Sequence, residues 1–336
     1  MSVRGLAVTA VVAGCAVGLP TWIMGHILDY TAAQVLRAGF AAPVGDPIRT
    51  VGWAAVRRGS AWQVSRVESH LELRCARIET RANGRSLSLL DDGERVWVLG
   101  EAGATVLQPS PRKVDWALLR ENYQIRDAAR AVIAGLEAAG IELVCKRTGR
   151  TSEVLWISAA PDLVLRRDTY DADGHLVLHS QVEEIRATTF DELQKRIDAP
   201  LAQLPKVASE APLTDAAFAE QAGFAPARPQ YVPRGYREVG LYARKCPRGR
   251  TYAERRYSDG LRVLSVYQRP GGGPGGGQGR GMGHRYGQAR HTEAAGPVMI
   301  DEGEAKTVRV ARGRSRIFVT GDLTQAELLR VANSLP

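Results

Sequence analysis

From residue 62 to residue 185 the chain repeatedly alternates apolar and polar side chains and then breaks at a turn signal. Residues 62–67 and 71–75 place every second side chain on one face, the period of a half-buried strand. Asn83-Gly84 and Asp92-Gly93 are pairs that tolerate positive φ, as tight hairpins require. They flank 86–90 and precede 95–99, and 105–108 completes a meander. Further strands are predicted at 141–146 and 153–158, with a hairpin of 163–170 and 175–185 across Asp171-Ala172-Asp173-Gly174. Helical spacing of Ile27, Leu28, Ala32, Val35 and Leu36 predicts a helix over 27–40, and 123–139 reads as a second helix ended by Gly140. Many strands in succession, without alternating βαβ units, exclude a doubly wound parallel sheet and predict an α+β domain on a large curved sheet.

Residues 199–229 carry Pro200, Pro205, Pro212, Pro226 and Pro229 around a short helical patch at 215–222, the composition of a linker. A smaller domain follows over 230–336, with strands at 254–257 and 261–268 and a closing hairpin of 307–311 and 315–320. Its last helix, 324–335, opens on a capping box in which Thr324 faces Glu327. The Gly-rich loop 270–287 lacks the Gly-Lys-Ser/Thr ending of a phosphate loop and reads as a flexible connector. The first domain is then 27–198, preceded by a head at 1–24.

That head has Arg4, an apolar run over 6–12 and the small residues Ala13-Gly14 before Cys15, the pattern of a secretory signal. Val12-Ala13-Gly14-Cys15 is also similar to a bacterial lipobox, which makes Cys15 a lipid-attachment candidate. An uncleaved anchor is the alternative, because 5–24 just reaches the roughly 20 apolar residues that span a bilayer. Each reading places the chain in the periplasm or on the extracytoplasmic side of the inner membrane. The other cysteines, Cys75, Cys145 and Cys246, have no metal-ligand spacing. Cys75 and Cys145 both fall on apolar strand faces, as two buried thiols or as a disulfide.

The net charge of +9 is concentrated. Residues 234–316 hold 18 Lys/Arg against 7 Asp/Glu, a net +11, and the rest of the chain carries −2. Arg255 and Arg256 fall in one basic group, and Arg312, Arg314 and Arg316 alternate on a predicted strand and so share a face. That face is either an edge guarded by charge or an anion-binding surface for a phosphorylated envelope lipid or an acidic peptide. Export sets nucleic acid aside as a partner. No Gly-x-Ser-x-Gly elbow, His-Glu-x-x-His helix or P-loop lysine occurs, so no catalytic, cofactor or metal site is expected. His175 and His179 share a predicted strand face at roughly 13 Å, too far apart to chelate one ion. The tryptophans of the first domain read as core, or else Trp97 and Trp156, with Leu89 and Leu165, line an apolar groove for an acyl chain.

Several stretches resemble the RseB/MucB family of sigma-E regulators. In the first domain they are 32–37, 86–94, Thr148-Gly149-Arg150 and the run 163–174, a strand with an Arg-rich step, an acidic turn and a return strand. In the second they are Pro229 to Tyr236, Tyr257 to Val266, and the end from Gly321 to Ser334. The long Gly/Arg loop 271–290 and Cys15 depart from the family's pattern. The resemblance implies a half-open antiparallel β-barrel with flanking helices, similar to the lipoprotein carriers (LolA-like), and a smaller α+β C-terminal domain. Family members bind the periplasmic part of an anti-sigma factor and protect it from proteolysis, and envelope ligands relieve that protection. The implied function is a non-catalytic, membrane-proximal envelope-stress sensor with an anti-sigma factor segment and a lipid-like ligand as partners. The alternative is a lipid or lipoprotein carrier using the same groove, and the oligomeric state is left open.

Overall fold

The structure, a computed structural model, describes residues 47–71, 76–82, 85–92, 95–100, 103–109, 114–159, 162–204, 211–245, 250–270, 297–301, 306–313 and 315–336. The predicted helix over 27–40, Cys15, Cys75, Cys246, Arg314 and almost all of the Gly-rich loop lie outside these residues. The chain forms two compact units that divide between Val207 and Ala208.

The first unit is one antiparallel sheet. In chain order its strands are β1 (Ile48–Arg58), β2 (Ala61–Leu71), β3 (Ala76–Ala82), β4 (Arg85–Asp91), β5 (Arg95–Gly100), β6 (Gly103–Pro109), β7 (Tyr123–Ile133), β8 (Leu136–Cys145), β9 (Thr151–Ser158), β10 (Val164–Tyr170) and β11 (Leu176–Ala187). Across the sheet the order is β6-β5-β4-β3-β2-β1-β11-β10-β9-β8-β7. Two meanders are therefore joined where β1 pairs with β11, from Ile48 opposite Ala187 to Val56 opposite Leu178. The free edges, β6 and β7, are consecutive in the chain and are linked through helix α1 (Trp116–Asn122), which is capped by the Asp115 carboxylate. The sheet is thus open at its hydrogen-bonded edges, as the predicted half-open α+β architecture requires.

Register sorts the side chains onto two faces. Ile48 lies opposite Leu71, Leu71 opposite Ala76, Ser69 opposite Ile78, and Ile78 opposite Leu89. These residues share the inner face. The tip of the β7–β8 hairpin, with Ile133, Leu136 and Ala138, packs into one cluster with Leu71, Ala76, Leu163 and Leu165. Strands β7 and β11 stand four places apart, so a flat sheet would hold them roughly 19 Å apart at 4.7–4.9 Å per strand. They are in contact, which requires the sheet to curl over its inner face, following its twist.

Residues 123–133 are a strand, not the helix that the Ala-rich sequence predicts. Ala134 and Gly135, both at positive φ (51° and 78°), make a tight turn that sends β8 back along β7. Pairing between β8 and β9 then overrides a weak helical preference worth only tenths of a kcal/mol per residue. Strand β1, which lacks clear alternation, has no counterpart in the prediction. Helical residues Phe190–Leu193 (α2), a π-helical turn over Gln194–Asp198 and Ala199–Ala202 (α3) continue the chain after β11. Part of the proline-rich stretch is thereby helical.

The second unit is a six-stranded sheet in the order β12-β13-β14-β17-β16-β15. Its strands are β12 (Arg237–Lys245), β13 (Thr251–Ser258), β14 (Val263–Pro270), β15 (Val298–Asp301), β16 (Lys306–Arg312) and β17 (Ser315–Gly321). Helices α4 (Asp215–Ala222) and α5 (Gln325–Asn333) cover one face. Phe218 of α4 packs on Leu241 and Ala253, and Leu328, Val331 and Ala332 of α5 pack on Leu264, Val266, Val308, Val310, Ile317 and Val319. The Thr324 hydroxyl accepts from the Glu327 N–H at the start of α5.

At the β1–β11 junction, a Cβ on Gly52 would stand 2.1 Å from the Gln181 carbonyl oxygen. Gly52→Ala is expected to break the central pairing and lower the melting temperature of the first unit. Leu165→Ala is expected to cost about 2–5 kcal/mol, as for other buried leucines. Calorimetry of the full chain checks both, and an unchanged transition for Gly52→Ala would show that the junction tolerates displacement.

Candidate ligand- and partner-binding surfaces

The inner face of the first sheet is mostly apolar. Ala54, Val67, Ile78, Leu87, Leu89 and Val96 form one cluster, and Leu165 belongs to the cluster that meets the hairpin tip. Of the four predicted groove residues, Leu89 and Leu165 are on this face, in separate clusters. Trp97 is not. It lies opposite Leu90, which lies opposite Arg77, so it is on the outer face, where its indole N–H donates to Asp92 Oδ2 at 2.7 Å. Trp156 packs against the cluster that holds Leu165 and the hairpin tip. It lies opposite Arg166, whose guanidinium carbon sits 4.2 Å from its ring centroid, and its indole N–H donates to the Ala129 carbonyl at 3.1 Å. A buried indole N–H needs an acceptor, which the Asp92 carboxylate supplies to Trp97 and a backbone carbonyl to Trp156.

The outer face carries a ladder of charges. Arg49 Nε donates to Glu68 Oε1 at 3.0 Å, and His70 Nε2 stands 3.1 Å from the same oxygen. Arg196, from the π-helical turn, donates to Glu79 at 2.7 Å and ties that segment over β3. Arg166 donates to Asp168 at 2.8 Å, and the other neighbour of Asp168 is His179, whose ring lies 4.8 Å from that of Trp53. Burial alone would raise the Asp168 carboxyl, but hydrogen bonds from His179 and Arg166 outweigh it and hold the group below its ordinary range. The His179 ring is thus used in a hydrogen bond to Asp168, and His175 precedes the strand.

In the second unit, strand parity separates neighbouring arginines. Arg255 points to the helical side and is only 1 % exposed. It donates to Glu238 at 2.6 Å, to Asp215 at 2.8 Å and to the Ala227 carbonyl at 3.2 Å. Its donors are spent inside the unit, so its predicted role as an anion-binding surface residue is corrected. Arg256 points the other way and, with Arg244, clamps the buried Glu254 carboxylate at 2.7 Å each. Burial would raise that carboxyl, but the two guanidinium groups hold it below its ordinary range. Burial and the nearby Glu254 charge push Tyr267 up to about 12.

Arg312 and Arg316 do not share a strand face. The chain turns at Gly313, Arg312 lies opposite Ser315, and Arg316 lies opposite Ala311. Arg312 donates to the carbonyls of Leu335 and Ala332 at 3.2 and 3.5 Å, where a cation satisfies the carbonyl end of α5. Arg316 is exposed on the opposite face. Cys145 is half-buried at the end of β8, and Cys75, the other member of the predicted pair, lies outside the described residues.

Residues 56–208, nearly all of the first sheet and the helical segment after it, match the MucB/RseB N-terminal domain. By this domain the first unit is similar to the MucB/RseB family. The sigma-E factor regulatory protein RseB of Escherichia coli K12 is 24% identical over 267 residues, which is 79% of this chain and 75% of that protein. RseB of Salmonella typhimurium is 25% identical over an equal length. A likeness of fold extends over both units. The complex structure of Pseudomonas aeruginosa MucA/MucB matches with a TM-score of 0.59 at 17% identity, covering 91% of this chain and 95% of that one. The crystal structure of MucB in complex with MucA(peri) matches with a TM-score of 0.55 at 17% identity, covering 87% and 93%. Among the described residues no helix is long and apolar enough to cross a membrane.

Two outcomes follow from these placements. Arg255→Gln leaves Asp215 and Glu238 with the more exposed Arg228 as their cation, at 3.5 and 3.3 Å, and is expected to cost about 1–3 kcal/mol, as when a buried donor to charged groups is removed. A urea titration checks it. His70 is 1 % exposed, and burial holds its ring below the ordinary 6.5 despite Glu68. Below pH 6.5 the unfolded chain therefore takes up a proton that the folded chain resists, so stability falls on acidification. Melting temperatures measured from about pH 7 to about pH 5 should decline in the native chain and decline less in His70→Gln.

Proposed function

We propose that the chain is a non-catalytic regulatory binding protein of the bacterial envelope that engages the periplasmic segment of a membrane-bound anti-sigma factor. The observation that carries this reading is the likeness to MucB, described in complex with MucA, across 91% of the chain and both of its units. The match to the MucB/RseB N-terminal domain supports it. In this reading the head at 1–24 directs export, so that the folded units meet the partner outside the inner membrane.

A lipid-like ligand on the inner face of the first sheet is the second part of the proposal. What favours it is a curled apolar face between two unpaired sheet edges, the kind of surface that holds an acyl chain. A carrier would use that face and have no affinity for an anti-sigma factor segment.

Size-exclusion chromatography with light scattering of the full chain mixed with the periplasmic segment of the host's anti-sigma factor checks the regulatory reading. A stable complex is expected, and two separate peaks would overturn it. Native mass spectrometry after mild purification is expected to show bound acyl species. Cell fractionation with added protease is expected to show the protein outside the inner membrane, and an intact cytoplasmic pool would contradict export.

A further inference from the structure

The second sheet buries one face under α4 and α5, and its other face carries a different chemistry. Cross-strand register places Arg244, Arg256, Arg269, Arg309 and Arg316 together on that other face. Within its described strand positions Glu254 is the single carboxylate. Arg269 and Arg316 are exposed and Arg309 is half-buried.

Half of this face shows how it holds a carboxylate. Glu254 accepts from Arg244 at 2.7 Å and from Arg256 at 2.7 and 3.0 Å. Both guanidinium groups lie over the Tyr242 ring, at 5.0 and 5.2 Å from its centroid. Charge-assisted bonds of this kind are roughly twice as strong as neutral ones, and the ring supports the cations from behind. The other half repeats the arrangement without an acid. Arg269 lies over the Phe318 ring at 5.4 Å, and Arg309 is the cross-strand neighbour of Phe318. Arg269 stands directly opposite Arg316, and among the described residues no carboxylate pairs with either, or with Arg309. Like charges facing each other across a strand pair destabilise a sheet. An anionic partner removes that cost.

We propose that Arg269, Arg309 and Arg316 form a docking face for an acidic segment of a polypeptide partner, which presents carboxylates to them as Glu254 does to Arg244 and Arg256. The three arginines sit on β14, β16 and β17, spread over two strand spacings, roughly 10 Å. One phosphate group does not span that distance, whereas successive carboxylates of an extended acidic segment do. The inference rests on the reading that the chain engages a polypeptide.

The test uses the full chain and a fluorescein-labelled peptide of ten glutamates, followed by fluorescence anisotropy. Binding is expected to weaken as salt rises, because exposed charges are screened within about 8–10 Å. The variant R269Q/R309Q/R316Q is expected to bind at least tenfold more weakly, with a melting temperature unchanged or higher. The variant R120Q/R126Q/R130Q removes three exposed charges from the first unit and is expected to bind as the native chain does. Equal losses in the two variants would reduce the effect to net charge and overturn the proposal, as would unchanged binding in R269Q/R309Q/R316Q. Co-sedimentation with phosphatidylglycerol vesicles, lost in that variant while peptide binding persists, would assign the face to lipid instead and also overturn it. An anti-sigma factor segment that binds the native chain and this variant alike would sink this inference and leave the regulatory reading standing. Failure of that segment to bind the native chain would sink the regulatory reading by itself.

Discussion

The pairing of β1 with β11 holds the first unit together. Without it the sheet is two meanders, each with an inner edge of unpaired backbone donors and acceptors. The two strands come from opposite ends of the unit, so the loop-closure cost of joining them falls on this one ladder. Side chains on both faces of β1 are buried, including Val51 and Ala55 on one side and Ala54 and Val56 on the other. Gly52 lets the β11 backbone approach more closely than any side chain allows. The curl of the sheet, the position of the β7–β8 hairpin tip and the apolar inner face all depend on this junction.

The two faces of that sheet are stabilised by different means. Burial of the inner leucines, isoleucines and valines supplies most of the stability, at roughly 25 cal/mol per Å² of apolar surface. The ion pairs of the outer face contribute little where they are exposed, about 0–1 kcal/mol each. They allow long strands to face water without an aggregation-prone surface. His70 and Asp168 are the exceptions, since burial makes their protonation states matter to the fold.

In the second unit a single step along a strand decides what an arginine does. Arg255 is consumed inside the fold, where it ties the start of α4 to the sheet through Asp215. Arg256, its neighbour, belongs to the opposite face and helps build a carboxylate clamp. Arg312 is likewise spent on the carbonyls at the end of α5, and Arg316, just past the turn, is available. The concentration of positive charge in this half of the chain therefore has two causes, internal ion pairs and a face with too few acids of its own.

The local features of this protein were legible in its residues. Asp171 to Gly174 is a hairpin turn, the strands on either side of Asn83-Gly84 pair as expected, and Thr324 caps the last helix. Each depends on side chains within a few positions of the backbone they act on. The alternation between residues 62 and 185 likewise dictated an antiparallel α+β fold. Strand β1 was illegible because burial on both faces erases alternation. The stretch 123–133 was misread because alanine favours a helix until a neighbouring strand offers a ladder. The face to which Trp97, Trp156, Arg312 and Arg316 turn was decided only in three dimensions. Turns and caps are set by neighbours in the chain, whereas face and register are set by hydrogen bonds to strands distant in sequence, and one residue of offset reverses every side chain.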